Sequence, residues 1–405
     1  MALGALPAHA YSQLTHEELI DLLWADSIRP LLIDRYPQAT EDALRIAHAY
    51  AYGGCLIQDV GYYPFGKPFF SDLAHHVRTG EFVSAMFRNA RNLDELAFAV
   101  GALSHYIGDS IGHSEGVNPA TALTFPELGL KYGPIVTFEE SPTGHGRTEF
   151  GFDVAQTAWQ RYAPRAYRKR IGFRVARQLL DRTFEETYGL HARGILGPAR
   201  SAVRTYRWAV TALLPAFLYA QVVRLRGDLP VEKTDEAQAE FLRTISRSEY
   251  ATTPGISYAQ PGIRAHLLAV VVLLIPKIGR LKVLDTESPG ADTEDLFLKS
   301  ANHALALFRE LLTFLQTHPD DDLQLQNVDL DTGSILAPGR SDMVERIFAE
   351  LATRLADAHK SIPAGIRDHL LMHYAGPAQA LPANISPKAR RSLANAIERL
   401  RATDR

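Results

Sequence analysis

Apolar residues recur along this chain at helical spacing, in alanine- and leucine-rich stretches that glycine and proline separate. No sustained alternation of apolar and polar residues, the mark of a half-buried β-strand, interrupts this pattern. The pattern therefore predicts an all-α fold. The predicted helices cover residues 40–52, 71–89, 93–112, 145–165, 172–190, 198–225, 232–246, 262–280, 294–317, 341–358, 364–374 and 387–402.

Two helix starts carry a recognisable capping pattern. Thr15 is followed by Glu18, and Asn92 by Glu95, which is the spacing of a capping box. We therefore expect helices to begin near residues 16 and 93. The segment 116–144 is rich in proline and glycine and lies among the candidate site residues, so we predict an active-site loop there.

Composition narrows the classes of protein and of site. The chain has 405 residues, of which 46% are hydrophobic, enough for one large domain or two of ordinary size. A net charge of −3 provides no general field for duplex nucleic acid. The longest apolar run, residues 267–275, is too short for a transmembrane helix. Cys55 is the sole cysteine, so metal ligands would have to be histidine, aspartate or glutamate.

The N-terminus resembles the end of a signal peptide. Residues 1–10 close in Ala8-His9-Ala10, the small-x-small pattern that signal peptidase cuts after. We therefore predict that residues 1–10 are a signal-peptide remnant, that the mature chain begins at Tyr11, and that the protein is secreted or periplasmic. The segment is short and lacks a basic start, so a frayed tail is the alternative.

Histidines paired with carboxylates are concentrated before residue 150. His105 with Asp109, and His145 with Glu149, are each four residues apart, which places both members of a pair on one helix face. His113 extends the first face by another turn. A single pair of this kind is commonly a surface ion pair, but two pairs together favour a metal centre. Further candidate ligands precede them: His16, Asp59 and His75.

This ordered set resembles the zinc-dependent phospholipase C and single-strand nuclease superfamily. The stretch 62–75 is similar to secreted bacterial members, and the resemblance covers residues 11–160. It implies an all-α, multi-helix catalytic domain that holds three zinc ions. One ion would be held by Tyr11, His16 and Asp109; a second by Asp59, His75, His105 and Asp109; and a third by His113, His145 and Glu149. Asp59 would also orient or deprotonate the attacking water.

Several assignments stay open at this level. His76 directly follows His75, so either could be the ligand, and we favour His75. His48 is interpreted as a core histidine bonded to backbone, and the histidines after residue 150 as structural. The gap of four residues between Asp109 and His113 is shorter than in familiar members of the family.

The leading functional hypothesis is phospholipase C-type cleavage of phospholipids by a metal-activated water. Aromatic residues would bind the substrate or, alternatively, pack in the core: Tyr62, Tyr63, Phe65 and Phe69. The alternatives are a single-strand nuclease or nucleotidase, and a non-catalytic zinc-stabilised binding module. The expected partners are a phospholipid or other phosphodiester and a peripheral membrane surface, without duplex nucleic acid and without a transmembrane segment.

The chain divides, on composition, into three parts: residues 1–10, a catalytic domain at 11–228, and a helical region of unknown role at 229–405. Within the last part, Asp320–Asp322, Asp329 and Asp331 are acidic, but their spacing departs from that of a calcium loop. We expect these residues to form a solvated acidic loop. The basic stretch 165–177 is interpreted mostly as a solvated face, with phosphate or membrane contact as the alternative.

Overall fold

The fold is that of a computed structural model of the full chain. The structure describes residues 12–63, 66–196, 214–225, 235–255, 287–335, 341–357, 362–375 and 385–402, with a few separate positions between 205 and 339. Nearly all of the predicted helix at 262–280, most of the first half of the one at 198–225, and the boundary near 228 lie outside the described residues.

Helices make up most of the described residues in the first half of the chain, as the hydrophobic pattern predicts. The helices there are Gln13–Leu23, Arg29–Arg35, Glu41–Gly54, Pro68–His76, Thr79–Asn89, Leu93–Ile111, Asn118–Thr124, Pro126–Tyr132, Pro142–Ala158, Arg165–Ile171, Arg177–Tyr188 and Ala192–Leu196. Two π-helical segments, Trp24–Ile28 and Gly112–Val117, each join one helix to the next.

The second half is helical as well. Its helices are Leu214–Leu225, Glu236–Arg247, Glu249–Thr252, Ala291–Thr317, Asp342–Asp357, Ala364–His373 and Pro387–Ala402. The described residues contain no strand, and their one isolated bridge joins Val328 to Ile335. The all-α prediction is confirmed. No helix among the described residues is both long and apolar enough to cross a membrane.

The helix starts agree with the capping patterns only in part. The Asn92 side chain accepts a hydrogen bond from the Glu95 amide at the start of Leu93–Ile111, as expected. The first helix, however, begins at Gln13 and not near residue 16. Its early amides reach a carboxylate on another helix, Asp153, so Thr15 is not needed as the cap.

Two further expectations about the helices are wrong. The predicted helix 71–89 is two helices, because Arg78 has φ of 50° and breaks it. The predicted loop at 116–144 contains Asn118–Thr124 and Pro126–Tyr132. Pro119 and Pro126 lie in the first turns of these helices, where the missing proline amide is not required. Proline there marks helix starts, not an irregular loop.

The helix Leu93–Ile111, called the central helix below, crosses Glu41–Gly54 at very short range. A Cβ atom added at Gly101 would lie 2.1 Å from the Ala51 carbonyl oxygen, and one added at Gly54 would lie 2.0 Å from the Phe98 oxygen. Only glycine allows these backbones to approach so closely. The crossing brings the residues just after Gly54, including Asp59, against the face of the central helix that carries His105 and Asp109.

The C-terminal half packs directly on this arrangement. The helix Ala291–Thr317 lies against the central helix and the π-helical segment Gly112–Val117. A Cβ atom added at Gly116 would lie 2.5 Å from the Ser300 hydroxyl oxygen. Phe297 stacks on Phe152 at a ring distance of 4.7 Å. Residues 325–335, called the 325–335 loop below, then run over the ends of Pro68–His76 and the central helix.

Candidate metal centre

Four groups of buried histidines and carboxylates bring their ligand atoms within 4.8 Å of one another. The first two share His105, and the first three consist of residues that the sequence pattern singled out. The groups are His16, His105 and Asp109; Asp59, His75 and His105; His113, His145 and Glu149; and His76, Asp329 and Asp331.

Asp109 belongs to the first group, and its carboxylate also reaches the imidazoles of the second. Its Oδ2 lies 3.0 Å from His105 Nε2 and 3.2 Å from His75 Nε2, while its Oδ1 lies 3.1 Å from His16 Nε2. Asp59 approaches from the turn after Glu41–Gly54, with Oδ1 3.2 Å from His75 Nε2. These side chains are at most 3% exposed. Asp109 is thus placed to ligate two neighbouring cations at once.

Hydrogen bonds from Nδ1 to backbone carbonyls fix the orientation of two of the imidazoles. His75 Nδ1 donates to the Ser71 carbonyl at 2.8 Å, and His105 Nδ1 donates to the Cys55 carbonyl at 2.9 Å. Both Nε2 atoms, only 3.4 Å apart, therefore point into the same space between two carboxylates. A cation satisfies all of these atoms together, so the residues present fit zinc.

The third group lies one turn further along. His145 Nε2 is 2.6 Å from Glu149 Oε1, as the four-residue spacing on Pro142–Ala158 predicts. His113 Nε2 is 3.5 Å from the same oxygen, because the π-helical segment that follows the central helix turns His113 toward Pro142–Ala158. His113 Nδ1 donates to the Leu330 carbonyl at 2.6 Å, so the C-terminal half orients this imidazole.

In the first two groups, neighbouring imidazoles and carboxylates shift each other's pKa values against the effect of burial. Burial alone lowers the pKa of His75, but Asp109 and Asp59 outweigh burial and raise this pKa well above its ordinary value. Burial alone raises the pKa of Asp109, but the imidazoles of His105, His16 and His75 hold it well below the ordinary value. Burial and the neighbouring His105 lower the pKa of His16 to about 4. The Asp109 carboxylate is therefore held in its ionised form, as a metal ligand must be.

The helix that carries His16 is positioned from Pro142–Ala158. Asp153, which is buried, accepts from the Leu14 amide at 2.8 Å, from the Thr15 amide at 3.1 Å and from the Thr15 hydroxyl at 2.8 Å. Ser12 makes no side-chain cap bond to this helix. Asp153 therefore caps the helix across the fold and sets the position of His16, which follows one residue later.

The predicted substrate-binding aromatics fall in different places. The Tyr62 ring lies 5.5 Å from the His75 ring, and its hydroxyl donates to Asp72. Tyr63 and Phe69 are buried in the core, where the Arg354 guanidinium lies 4.5 Å from the Phe69 ring centre. Phe65 lies outside the described residues, as do Tyr11 and the whole segment before it. A role of these residues toward substrate or metal stays a prediction.

Of three further expectations, the structure revises two and agrees with one. His48 bonds to the Asp21 side chain at 2.9 Å, not to backbone, and stacks on Trp24. Asp320–Asp322 are exposed, as a solvated loop requires. Asp329 and Asp331, however, are only 6% and 8% exposed, so the expectation of solvation is wrong for them.

The group of His76, Asp329 and Asp331 was missed by sequence reasoning. The two aspartates lie more than 250 residues after His76, and no local spacing connects them to it. The one available signal was the His75-His76 doublet itself, because both members of a buried doublet need polar partners.

One comparison with known proteins covers the residues of the first three groups. Residues 15–195 match the family model described as zinc dependent phospholipase C, which includes the ligand candidates from His16 to Glu149. Neither the curated proteins nor the solved structures contain a match to this chain. Asp329 and Asp331 lie beyond the matched residues. Residues 15–195 therefore form a segment of the zinc-dependent phospholipase C type.

Proposed function

We propose that this protein is a phospholipase C, which hydrolyses a phospholipid to diacylglycerol and a phosphorylated headgroup. The family match over residues 15–195 supports a zinc-dependent phosphodiester hydrolase in general terms. The observation that carries the proposal is the convergence of His75 Nε2 and His105 Nε2, 3.4 Å apart, on the carboxylates of Asp59 and Asp109.

Three zinc ions are proposed, one for each of the first three groups. The ligands are nitrogen and oxygen atoms without thiolate, a set that suits catalytic zinc. The amine and carbonyl of Tyr11 are proposed to complete the first group after cleavage following Ala10. This processing, and a secreted or periplasmic location, are part of the proposal.

The bound zinc ions would lower the pKa of a water molecule toward neutrality and stabilise negative charge at phosphorus. Asp59 is proposed to orient or deprotonate that water. Its Oδ1 is 3.2 Å from His75 Nε2 and 3.8 Å from His105 Nε2, so the carboxylate faces the ligand cluster. The carbonyls of Ser71 and Cys55 hold the two imidazoles in the tautomer that leaves Nε2 for the metal.

Tyr62 is the aromatic best placed to contact a substrate at this centre. Tyr62 is partly exposed, whereas the neighbouring Tyr63 is only 3% exposed. Its hydroxyl is anchored 3.0 Å from Asp72 Oδ1, which fixes the ring beside His75. We propose that this ring faces the substrate, and that a membrane surface is the source of that substrate.

Replacing Asp59 by Asn tests the role of this carboxylate. We expect kcat to fall by roughly 10²–10⁴-fold, the usual contribution of a general base, with cooperative unfolding retained. Zinc per chain is measured in parallel, because Asp59 also faces the second group. Asp357→Asn, at an exposed ion pair with Arg399, is the matched control and should keep full activity. Undiminished hydrolysis by Asp59→Asn would rule out the assigned role.

The substrate class is tested by offering phosphatidylcholine vesicles and a single-stranded oligonucleotide to the same zinc-loaded preparation. Release of phosphocholine supports the proposal. Cleavage of the oligonucleotide alone would make the protein a nuclease, and cleavage of neither, with zinc bound, would favour a binding module.

A further inference from the structure

The fourth group joins the two halves of the chain beside the third. His76 ends the helix Pro68–His76, while Asp329 and Asp331 lie on the 325–335 loop. His76 Nδ1 is 3.2 Å from Asp329 Oδ2, and His76 Nε2 is 3.8 Å from Asp331 Oδ2. The three residues are 1%, 6% and 8% exposed.

Three hydrogen bonds fix the backbone of the 325–335 loop against the rest of the fold, and none of them involves the His76 ring. The Leu330 amide donates to the His75 carbonyl at 3.0 Å, and Asn118 Nδ2 donates to the Asp331 carbonyl at 2.8 Å. Thr79 Oγ1 donates to the Val328 carbonyl at 2.7 Å. The two carboxylates therefore lie on a loop whose backbone is hydrogen-bonded to the rest of the fold, and not on a free surface turn.

The local charges do not balance. Two carboxylates face one imidazole, so the acidic side chains outnumber the basic one in this group. Among the described residues, neither Asp329 nor Asp331 forms an ion pair with lysine or arginine. His113 Nδ1, 3.8 Å from Asp331 Oδ1, is already directed at the Leu330 carbonyl.

One oxygen of the group also lacks a hydrogen-bond donor. Asp329 Oδ1 accepts from the amides of Asp331 and Thr332, at 2.8 and 3.1 Å. Asp331 Oδ2 is buried and accepts no hydrogen bond within the part of the chain that the structure describes. A buried carboxylate oxygen in this condition is costly unless a cation compensates it.

We propose that His76, Asp329 and Asp331 bind a fourth divalent cation. One imidazole and two carboxylates form a donor set that suits Zn²⁺ or Mn²⁺. The site adjoins the third group through Asp331 and His113, and it fastens the 325–335 loop whose Leu330 carbonyl orients His113. It therefore couples the C-terminal half to the metal centre.

The direct test locates the ions in crystals of the full-length protein grown with Zn²⁺ or soaked in Mn²⁺. Anomalous difference maps at the zinc and manganese edges should show a peak among His76, Asp329 and Asp331, separate from the peaks of the first three groups. The absence of this peak in both the zinc and the manganese maps would overturn the proposal, whatever the first three groups bind.

A solution test uses the double variant Asp329→Asn, Asp331→Asn. Elemental analysis after equilibration with Zn²⁺ should show one ion fewer per chain than in the wild type. The control is Glu345→Gln, because Glu345 forms a buried pair with His373 at 2.8 Å and no metal group includes it. It should keep the full metal content. Equal metal content in the wild type and the double variant would contradict the proposal, and the maps decide should the variant fail to fold.

Discussion

Asp153 provides a test of how the metal centre is assembled, because it caps the helix of His16 without being a ligand candidate. Replacing Asp153 by Ala removes the acceptor of the Leu14 amide. The Thr15 amide keeps a second acceptor, the Ser12 carbonyl at 3.1 Å, and the Thr15 hydroxyl keeps the Tyr162 hydroxyl. One buried donor is therefore fully lost.

The expected cost follows from these contacts. A buried donor left without a partner costs roughly 1–3 kcal/mol, and loss of a helix cap about 1 kcal/mol. Ionised Asp153 is itself partly penalised, because burial raises its pKa from 3.8 to about 6. We therefore expect the free energy of unfolding to fall by about 2 kcal/mol at pH 7.

The same pKa fixes the sign of the pH dependence. A carboxyl whose pKa is raised by folding stabilises the folded state fully below its unfolded pKa of 3.8, and this contribution is lost as pH rises through about 6. The difference in the free energy of unfolding between the wild type and Asp153→Ala should therefore increase as pH falls from 7 to 5. One pH unit below the folded pKa corresponds to about 1.4 kcal/mol, so the difference should grow to about 3 kcal/mol.

The assay is urea unfolding of both proteins in saturating Zn²⁺ at pH 7 and pH 5, followed by circular dichroism. Asp357→Ala, at an exposed ion pair, is the control and should change stability by less than about 0.5 kcal/mol. Equal stability of Asp153→Ala and wild type at both pH values, or a difference that shrinks at pH 5, would refute the reasoning.

Three further predictions concern packing and metal. Gly101→Ala should destabilise by about 1–3 kcal/mol or more in thermal unfolding, because its Cβ would lie 2.1 Å from the Ala51 oxygen. Gly194→Ala, with no atom within 4 Å, should be neutral or slightly stabilising, and a loss equal to that of Gly101→Ala would contradict the account. Removal of metal by a chelator should lower the melting temperature. For each ion present at 100 times its Kd, the free energy of unfolding should fall by about 2.7 kcal/mol. An unchanged melting temperature would mean that the buried clusters bind no metal.

The sequence predicts the local part of this site well. Helical periodicity and the four-residue spacing are enough to place His105 beside Asp109, and His145 beside Glu149, because both relations lie within one helix. The order of ligand candidates carries the family resemblance, which the match over residues 15–195 confirms.

The remaining features depend on contacts between distant segments. Burial of Asp329 and Asp331 arises from docking of the 325–335 loop on His75 and Asn118, and composition alone makes such a stretch appear solvated. The early start of the first helix depends in the same way on Asp153, which lies on a different helix. Proline in 116–144 was ambiguous, because the same residue marks loops and first turns of helices.

The central claim is that buried side chains on both sides of Asp109 bind zinc, and native mass spectrometry of zinc-equilibrated protein tests it most directly. Asp109 lies within 3.2 Å of His16, His75 and His105, so it serves two of the groups. The wild type should carry at least three zinc ions, and Asp109→Ala should lose two together while His145→Ala loses one. A wild-type chain without zinc, or an Asp109→Ala chain with the full number, would contradict the account.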